Sequence, residues 1–200
     1  MSDLTELYRD VAVCRRCDLY KTATNPVPGE GPENAQIMFI GEGPGWNEDQ
    51  LGRPFVGAAG KFLDQMFALI GLRRSDVYIA NVVKHRPPNN RDPLPDEISA
   101  CSHFLDRQIA ITKPKIIVTL GRHSMARYFP NSAISKIHGT YFKKDGVVYF
   151  AMYHPAAALH QANLKYEIEQ DMLKLPVILN ELQAVPKPDP VENPTQLKMF

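Results

Sequence analysis

The sequence predicts an α/β fold, a single three-layer domain in which a central four-stranded parallel sheet is flanked by helices. Short apolar runs bounded by turn residues are typical of buried parallel strands, and here they alternate with stretches of helical periodicity. Strands that alternate with helices pair in parallel through right-handed crossovers. A chain of 200 residues is long enough for one domain with a full core. We therefore expect one domain over residues 1–184 and a separate proline-rich tail over residues 185–200.

Each predicted element follows from its local pattern. Consecutive apolar residues predict strands at 37–40, 77–83, 115–120 and 147–152. Apolar residues that recur on one face predict helices at 3–13, 57–70, 96–111, 121–129 and 164–182. The segment 22–34 is rich in proline and glycine and is expected to be a loop.

Composition limits the classes of function. The formal charge is only +1, so a nucleic-acid site has to be a local basic patch. No apolar run is long enough to span a membrane and no signal peptide begins the chain, so we expect a cytoplasmic protein. Three cysteines without an export signal do not favour disulfides, which leaves metal ligation or burial.

The chemistry-bearing residues follow the predicted strands. The first strand runs into the glycine-rich turn 41–45, and the carboxylates of Glu42, Glu48 and Asp49 and the ring of Phe55 come soon after. Ligands of open α/β sheets bind just beyond the carboxyl ends of strands. We therefore expect a pocket whose floor carries acids and an aromatic plate.

Two more polar residues end later strands and should converge on the same edge. Asn81 ends the second strand and His154 follows the fourth. Taken alone, Asn81 could satisfy loop backbone, His154 could be a buried histidine, and Phe55 could belong to the core. Their meeting at one sheet edge favours a site.

The order of these motifs resembles that of the family-4 uracil-DNA glycosylases. The resemblance rests on 41–49 (Gly-Glu-Gly-Pro-Gly-x-x-Glu-Asp), 52–60 (Gly-Arg-Pro-Phe-Val-Gly-x-Ala-Gly), 81–84 (Asn-Val-Val-Lys) and His154-Pro155, and it runs from Cys14 to Leu182. It implies the uracil-DNA glycosylase fold and an enzyme that flips uracil out of single- or double-stranded DNA. Such an enzyme hydrolyses the N-glycosidic bond and leaves an abasic site.

The resemblance also implies a role for each residue of the pocket. Asn81 would read the O4 and N3–H edge of uracil, and Phe55 would stack on the flipped ring. His154 would donate a hydrogen bond to O2, where negative charge develops as the base leaves. Glu42 resembles the residue that positions water and offsets charge on the sugar, and Glu48 would wall the pocket near uracil C5. The backbone at Gly41 and Gly43 completes the substrate site.

DNA contacts are expected on two segments. The basic loop 84–91 suits phosphate oxygens through Lys84, Arg86 and Arg91, although an ordinary polar loop has the same composition. After His154, Leu159 is placed to wedge into the space left by the flipped base. Ala158 and His160 depart from the leucine and arginine of the family, and His138 stands where the family commonly has arginine.

The cysteines suggest a cofactor. The family holds a 4Fe–4S cluster on four cysteines, and Cys14, Cys17 and Cys101 match three of them. The fourth position is His85, with fifteen residues between it and Cys101. Imidazole ligates iron in Rieske centres, so a Cys₃His cluster with a structural role is predicted. A Cys₃His zinc site, or a lost cluster with Cys101 simply buried, is the alternative.

The tail ends in a peptide that resembles a docking motif. Gln196, Leu197, Met199 and Phe200 match the Gln-Leu-x-Leu-Phe peptides with which bacterial repair proteins bind the replicative sliding clamp, with methionine for one leucine. A frayed terminus with chance apolar residues is the alternative.

We expect the protein to be a monomer. Two alternatives to uracil excision remain open from the sequence. Covalent uracil-DNA-binding relatives trap the abasic sugar on a histidine in an inserted basic loop, but residues 87–91 follow Lys84 without that insert. A silent nucleic-acid-binding module is the second alternative. The complete set of pocket residues favours turnover over both.

Overall fold

The computed structural model describes residues 3–184, and a five-stranded sheet forms its centre. The strands are β1 (Ile37–Gly41), β2 (Tyr78–Asn81), β3 (Ile116–Leu120), β4 (Tyr141–Lys144) and β5 (Val147–Met152). Their order across the sheet is β2-β1-β3-β5-β4. The four predicted strands β2, β1, β3 and β5 are parallel neighbours, which confirms the α/β class and the parallel sheet.

Strand β4 is an edge strand that the sequence prediction missed. It pairs antiparallel with β5 through a tight hairpin. Asp145 and Gly146 make the turn, both with positive φ (51° and 77°), as a two-residue type I′ hairpin requires. Lys143 and Lys144 are exposed on this outer strand, where charged side chains discourage pairing with another sheet.

Eight α-helices accompany the sheet in residues 3–184. They are α1 (Asp3–Ala12), α2 (Trp46–Leu51), α3 (Ala58–Leu69), α4 (Pro95–Thr112), α5 (Arg122–Ala126), α6 (Ile134–Ile137), α7 (Pro155–His160) and α8 (Ala162–Ala184). The short helices α2, α6 and α7 were not predicted. Helix α8 continues through Pro176, and none of the helices in residues 3–184 could span a membrane.

The sheet is covered on both faces, which gives the three predicted layers. Alternate residues of a strand point to opposite faces. Ile37 and Phe39 belong to one apolar cluster, with residues of α3 and α8. Met38 and Ile40 belong to the other, with residues of α1 and α4. The strands are therefore buried on both sides, as their near-continuous apolar runs indicated.

The strand register brings the predicted polar residues to one edge. Gly41 at the end of β1 is the direct neighbour of Asn81 at the end of β2. Leu120 of β3 pairs with Met152 of β5, and His154 follows two residues later. The carboxyl ends of these strands thus open onto a common space.

Candidate active site

A cavity of about 320 Å³ lies at the carboxyl edge of the sheet. Its lining combines carboxylates, an aromatic ring, amides and an imidazole: Glu42, Gly43, Gly45, Glu48, Phe55, Ala59, Asn81, Asn90, His154 and Ala156. All the residues that the sequence proposed for catalysis and base recognition line this cavity except Gly41, which lies beneath it. Asn90 was missed. It takes a left-handed conformation (φ 54°) in the loop after β2, and only the Asn-Asn pair in that loop hinted at such a turn.

Gly41 is required by close packing under the cavity. A Cβ atom at this position would lie 2.4 Å from Oδ1 of Asn81 and 2.7 Å from the ring of Phe55. Any larger residue would therefore displace the amide and the ring. The glycine lets these two side chains approach each other across the strand ends.

Asn81 carries an unsatisfied hydrogen-bonding atom into the cavity. The residue is 2 % exposed, and its Oδ1 atom has no partner within residues 3–184. A buried polar atom without a partner costs about 1–3 kcal/mol, so native structures rarely keep one without a use. A ligand with an N–H group would satisfy it.

His154 is held as a neutral hydrogen-bond donor. Its Nδ1 atom accepts a hydrogen bond of 3.1 Å from the backbone N–H of Ala156, in the first turn of α7. Burial lowers the pKa of His154 to about 4, which Glu48 only partly offsets. The imidazole is therefore neutral at pH 7, and its proton resides on Nε2. The ring lies 5.6 Å from the Phe55 ring in a stacked arrangement.

Glu42 belongs to a charged network that the sequence did not reveal. Its Oε2 atom lies 3.6 Å from Nε2 of His123, which is 3.4 Å from Asp92. Burial raises the pKa of Glu42; His123 and Arg122 lower it, and Asp92 raises it further. Arg122 donates to both His123 and Asp92. Because this guanidinium already supplies the local positive charge, the geometry favours an ion-pair network over a metal site.

The two other carboxylates of this segment have different roles. Glu48 lines the cavity, and its Oε1 atom accepts hydrogen bonds from the N–H groups of Val56 (2.8 Å) and Gly57 (2.9 Å). Asp49 is wrongly predicted as part of the pocket floor. It is 1 % exposed and bonds the backbone N–H of Thr24 instead, which anchors the preceding loop.

The basic loop after β2 only partly fits its predicted contact with phosphates. Lys84 is 1 % exposed and donates to the Asn81 carbonyl and to Gln108, each at 2.7 Å, so its predicted contact with DNA is wrong. Its side chain braces the strand end that carries Asn81. Arg91 forms two hydrogen bonds with the buried Glu97 and anchors the loop. Arg86 is partly exposed and bonds Asn90.

Leu159 is an exposed apolar residue that follows His154 closely in the sequence. It lies in α7, the helix that begins directly after His154, and 47 % of it is exposed. A large apolar side chain in this position is available to enter a DNA stack. Two lysines, Lys61 and Lys165, line a shallow depression beside it.

The four predicted cluster ligands come from three segments that meet beside α1. Cys14, Cys17 and Cys101 contact one apolar cluster, and Cys14 and His85 line a cavity of about 270 Å³. Burial raises the pKa of the Cys101 thiol, and the nearby ammonium of Lys84 partly offsets this effect. Burial lowers the pKa of His85, so its imidazole is neutral and able to ligate a metal.

The four predicted ligands do not form a compact metal-binding group. Zinc with Zn–S bonds of about 2.3 Å draws its sulfur ligands to within roughly 4 Å of one another. Among residues 3–184, the ligand atoms that gather in threes within 4.8 Å are those of Glu42, Asp92 and His123. No three of the predicted cluster ligands meet this closely. A tetrahedral zinc site is therefore not preformed by these residues.

Comparison with known proteins agrees with this geometry. The family model described as the uracil DNA glycosylase superfamily matches residues 28–174. The type-4 uracil-DNA glycosylase of Sulfurisphaera tokodaii is 51 % identical over 94 % of this chain and 88 % of its own length. That of Archaeoglobus fulgidus is 48 % identical over 88 % of this chain and 92 % of its own length. A type-5 enzyme of Pyrobaculum aerophilum is 30 % identical over 71 % of this chain and 70 % of its own length.

The family model and the sheet-edge cavity define the chain as a glycosylase-superfamily protein. Within that superfamily, it belongs to the type-4 uracil-DNA glycosylases. This family assignment confirms the resemblance that the ordered motifs indicated.

Proposed function

We propose that this chain is a DNA repair enzyme that flips uracil out of DNA and hydrolyses its N-glycosidic bond. The observation that carries the proposal is the buried, unpartnered Oδ1 atom of Asn81 on the wall of the cavity. Uracil offers an N–H donor next to a carbonyl acceptor, which complements the amide of one asparagine. Cytosine presents an acceptor and an amino group there and would leave the amide mispaired.

Base recognition combines this amide with a stacking surface. The Phe55 ring lies at the cavity wall and provides an apolar face for a flipped pyrimidine. Glu48 lines the same cavity and would oppose the methyl group of thymine at C5. An enzyme built in this way selects uracil by shape and by hydrogen bonding together.

His154 would assist departure of the base. As the glycosidic bond breaks, its electron pair moves into uracil and negative charge develops at O2. The neutral imidazole donates Nε2–H to that oxygen, and this hydrogen bond strengthens as the charge grows. Gly43 lines the same cavity, and its backbone N–H would add to the stabilisation.

Glu42 would act on the sugar. Loss of uracil leaves positive charge on the deoxyribose ring, which a nearby carboxylate stabilises. The same carboxylate orients a water molecule toward C1′ and accepts a proton as the new C–O bond forms. The products are an abasic site and free uracil, which takes up a proton on N1. This role requires Glu42 to be ionised.

The DNA would lie across the mouth of the cavity. Arg86 on the loop after β2 would contact phosphates on one side, and Leu159 of α7 would fill the gap left by the flipped base on the other. Arg91 would contribute mainly by holding the loop in shape through Glu97. Single-stranded and double-stranded DNA are both possible substrates for such a surface.

We also propose a 4Fe–4S cluster held by Cys14, Cys17, Cys101 and His85. When bound, the cluster would supply a structural link and no chemistry at the sugar. Its ligands would tie α1, α4 and the loop after β2 together, next to the Lys84 contact that supports Asn81. With His85 as the fourth ligand, this cluster would differ from the family's cluster, which is held by four cysteines.

Residues 185–200 lie outside the described residues, and we propose for them a role separate from excision. The glycosylase domain would end at about residue 184. The terminal peptide with Gln196 and Phe200 would bind the replicative sliding clamp and would be joined to the domain by a proline-rich segment.

The activity is tested with oligonucleotides that contain one uracil. Purified protein is incubated with single- and double-stranded substrates, and abasic sites are cleaved with alkali. We expect multiple turnovers, and Asn81→Ala and His154→Ala should each reduce the single-turnover rate by about a hundredfold or more. Folded variants with near-normal rates would remove these two residues from the site. A stable protein–DNA adduct in place of turnover would contradict the hydrolytic mechanism.

A further inference from the structure

The backbone at Phe55 is strained. Its φ angle is 52°, in the left-handed region, although phenylalanine is a bulky residue that rarely adopts this conformation. Strain of this kind persists only where the surrounding structure enforces it, and it is frequent at functional sites. Here the strained residue is the one whose ring lines the cavity and stacks against His154.

Arg74 holds the strained turn on its carbonyl side. Its Nη1 atom donates to the carbonyl of Phe55 at 2.9 Å, and its Nη2 atom donates to the carbonyl of Pro54. On the other side of the turn, Glu48 accepts the next two backbone N–H groups. A Cβ atom on Gly60 would lie 1.8 Å from the Phe55 carbonyl oxygen, so helix α3 also presses against this point.

Arg74 is itself fixed by two carboxylates. Its Nε atom lies 3.2 Å from Oε1 of Glu30, and its Nη1 atom lies 3.2 Å from Oδ1 of Asp64. Only 18 % of its side chain is exposed. A planar guanidinium with several donors can bond two successive carbonyls and two carboxylates at once, which an ammonium cannot do. Arg53 binds the same Glu30 but is 57 % exposed and makes no hydrogen bond to the turn.

We propose that Arg74 is a positioning residue for base recognition, because it holds the 54–56 turn so that the Phe55 ring faces the flipped base. This inference rests on the proposed excision of uracil. It adds to that proposal the residue that fixes the position of the stacking ring of Phe55. Arg74 lies outside the cavity lining and acts on the base only through Phe55.

Two measurements on Arg74→Ala and Arg74→Lys test this role, with Arg53→Ala as the matched control. Inhibition by free uracil measures how well the pocket binds the base. Binding of uracil-free DNA measures the contacts that the rest of the surface makes with DNA. We expect Arg74→Ala to weaken uracil inhibition and to lower the single-turnover rate about tenfold to a hundredfold, with little change in DNA binding. Arg74→Lys should recover part of both losses, and Arg53→Ala should resemble the wild type.

Amide hydrogen exchange at Val56 and Gly57 provides a readout that does not need activity. Arg74→Ala should speed exchange in this turn, whereas Arg53→Ala should not. Unchanged exchange together with a rate and uracil inhibition within twofold of wild type would overturn the proposal. If Arg74→Ala does not fold, Arg74→Lys and Arg74→Gln decide it by the same criteria. If the wild type does not excise uracil, the proposed function fails and the exchange measurement alone decides whether Arg74 orders the turn.

Discussion

Two side chains bring complementary hydrogen-bonding groups to the cavity. Asn81 offers a buried acceptor without a partner, whereas His154 offers a donor whose tautomer is set by the backbone of α7. Because burial keeps His154 neutral down to about pH 4, its Nε2–H donor belongs to an uncharged ring at neutral pH. The mechanism also needs the ionised form of Glu42, whose pKa is raised by burial.

The acid limit of excision should follow Glu42. Burial raises the pKa of this carboxyl above its ordinary value, and the carboxylate is the form that the mechanism needs. The single-turnover rate should therefore fall as the pH decreases through the raised pKa. Asp92→Asn removes a negative neighbour and should move this acid limb to lower pH.

Arg122→Gln is the variant with the opposite expectation. It removes a positive neighbour of Glu42 and should move the acid limb to higher pH. Single-turnover rates from pH 4 to pH 8 would show both displacements. Shifts of the two variants in the same direction, or none in either, would contradict the assignment of the acid limb to Glu42.

Sequence reasoning located the pocket residues but not how each is held. Strand ends and turn glycines placed Asn81 and His154 at the sheet edge, because position along a strand is a local property. The burial of Lys84 could not be predicted, since a lysine in a basic loop normally faces water. The contact of Arg74 with the Phe55 turn joins residues 19 positions apart and left no local signal.

At the scale of elements, the four parallel strands were predictable and the fifth strand was missed. Buried strands are consecutively apolar, whereas β4 has mostly exposed residues and no such run. The Asp145-Gly146 pair was the available signal, because Asp-Gly between two strands favours a type I′ hairpin. Helices α2 and α7 are each six residues long, which is too short for apolar periodicity to be recognised.

The predicted cluster ligands come from three different segments of the chain, so the metal site depends on how these segments pack together. We expect protein purified without oxygen to be brown and to contain about four irons per chain, as one 4Fe–4S cluster requires. His85→Cys should retain or strengthen the cluster, because it supplies a fourth thiolate, whereas His85→Ala should lose iron more readily. Iron and zinc analysis and the visible absorption spectrum measure this.

The outcomes that would exclude a cluster are equally specific. Stoichiometric zinc, or a folded and fully active protein with no metal, would contradict it. Equal iron content in His85→Ala and wild type would show that His85 is not a ligand. The iron content of Cys101→Ser serves as the comparison. This variant removes a predicted ligand that matches a cysteine of the family directly.

At the scale of the whole molecule, excision and partner binding are expected to be separable. The sheet, the cavity and the predicted cluster ligands all lie within residues 3–184. The peptide that resembles a clamp-binding motif begins at Gln196, twelve residues after the end of α8. A tethered peptide would raise the concentration of the enzyme near newly made DNA without changing the active site.

Deletion of residues 196–200 should leave excision on short oligonucleotides unchanged but abolish binding to the sliding clamp of the same organism. The physical reason is that Leu197, Met199 and Phe200 would bury in an apolar groove of the clamp while Gln196 bonds at its rim. Surface plasmon resonance with immobilised clamp measures the binding, and Lys198→Ala is the matched control, because the motif leaves that position open. Equal binding by the full-length and truncated proteins, or none by either, would refute the proposal.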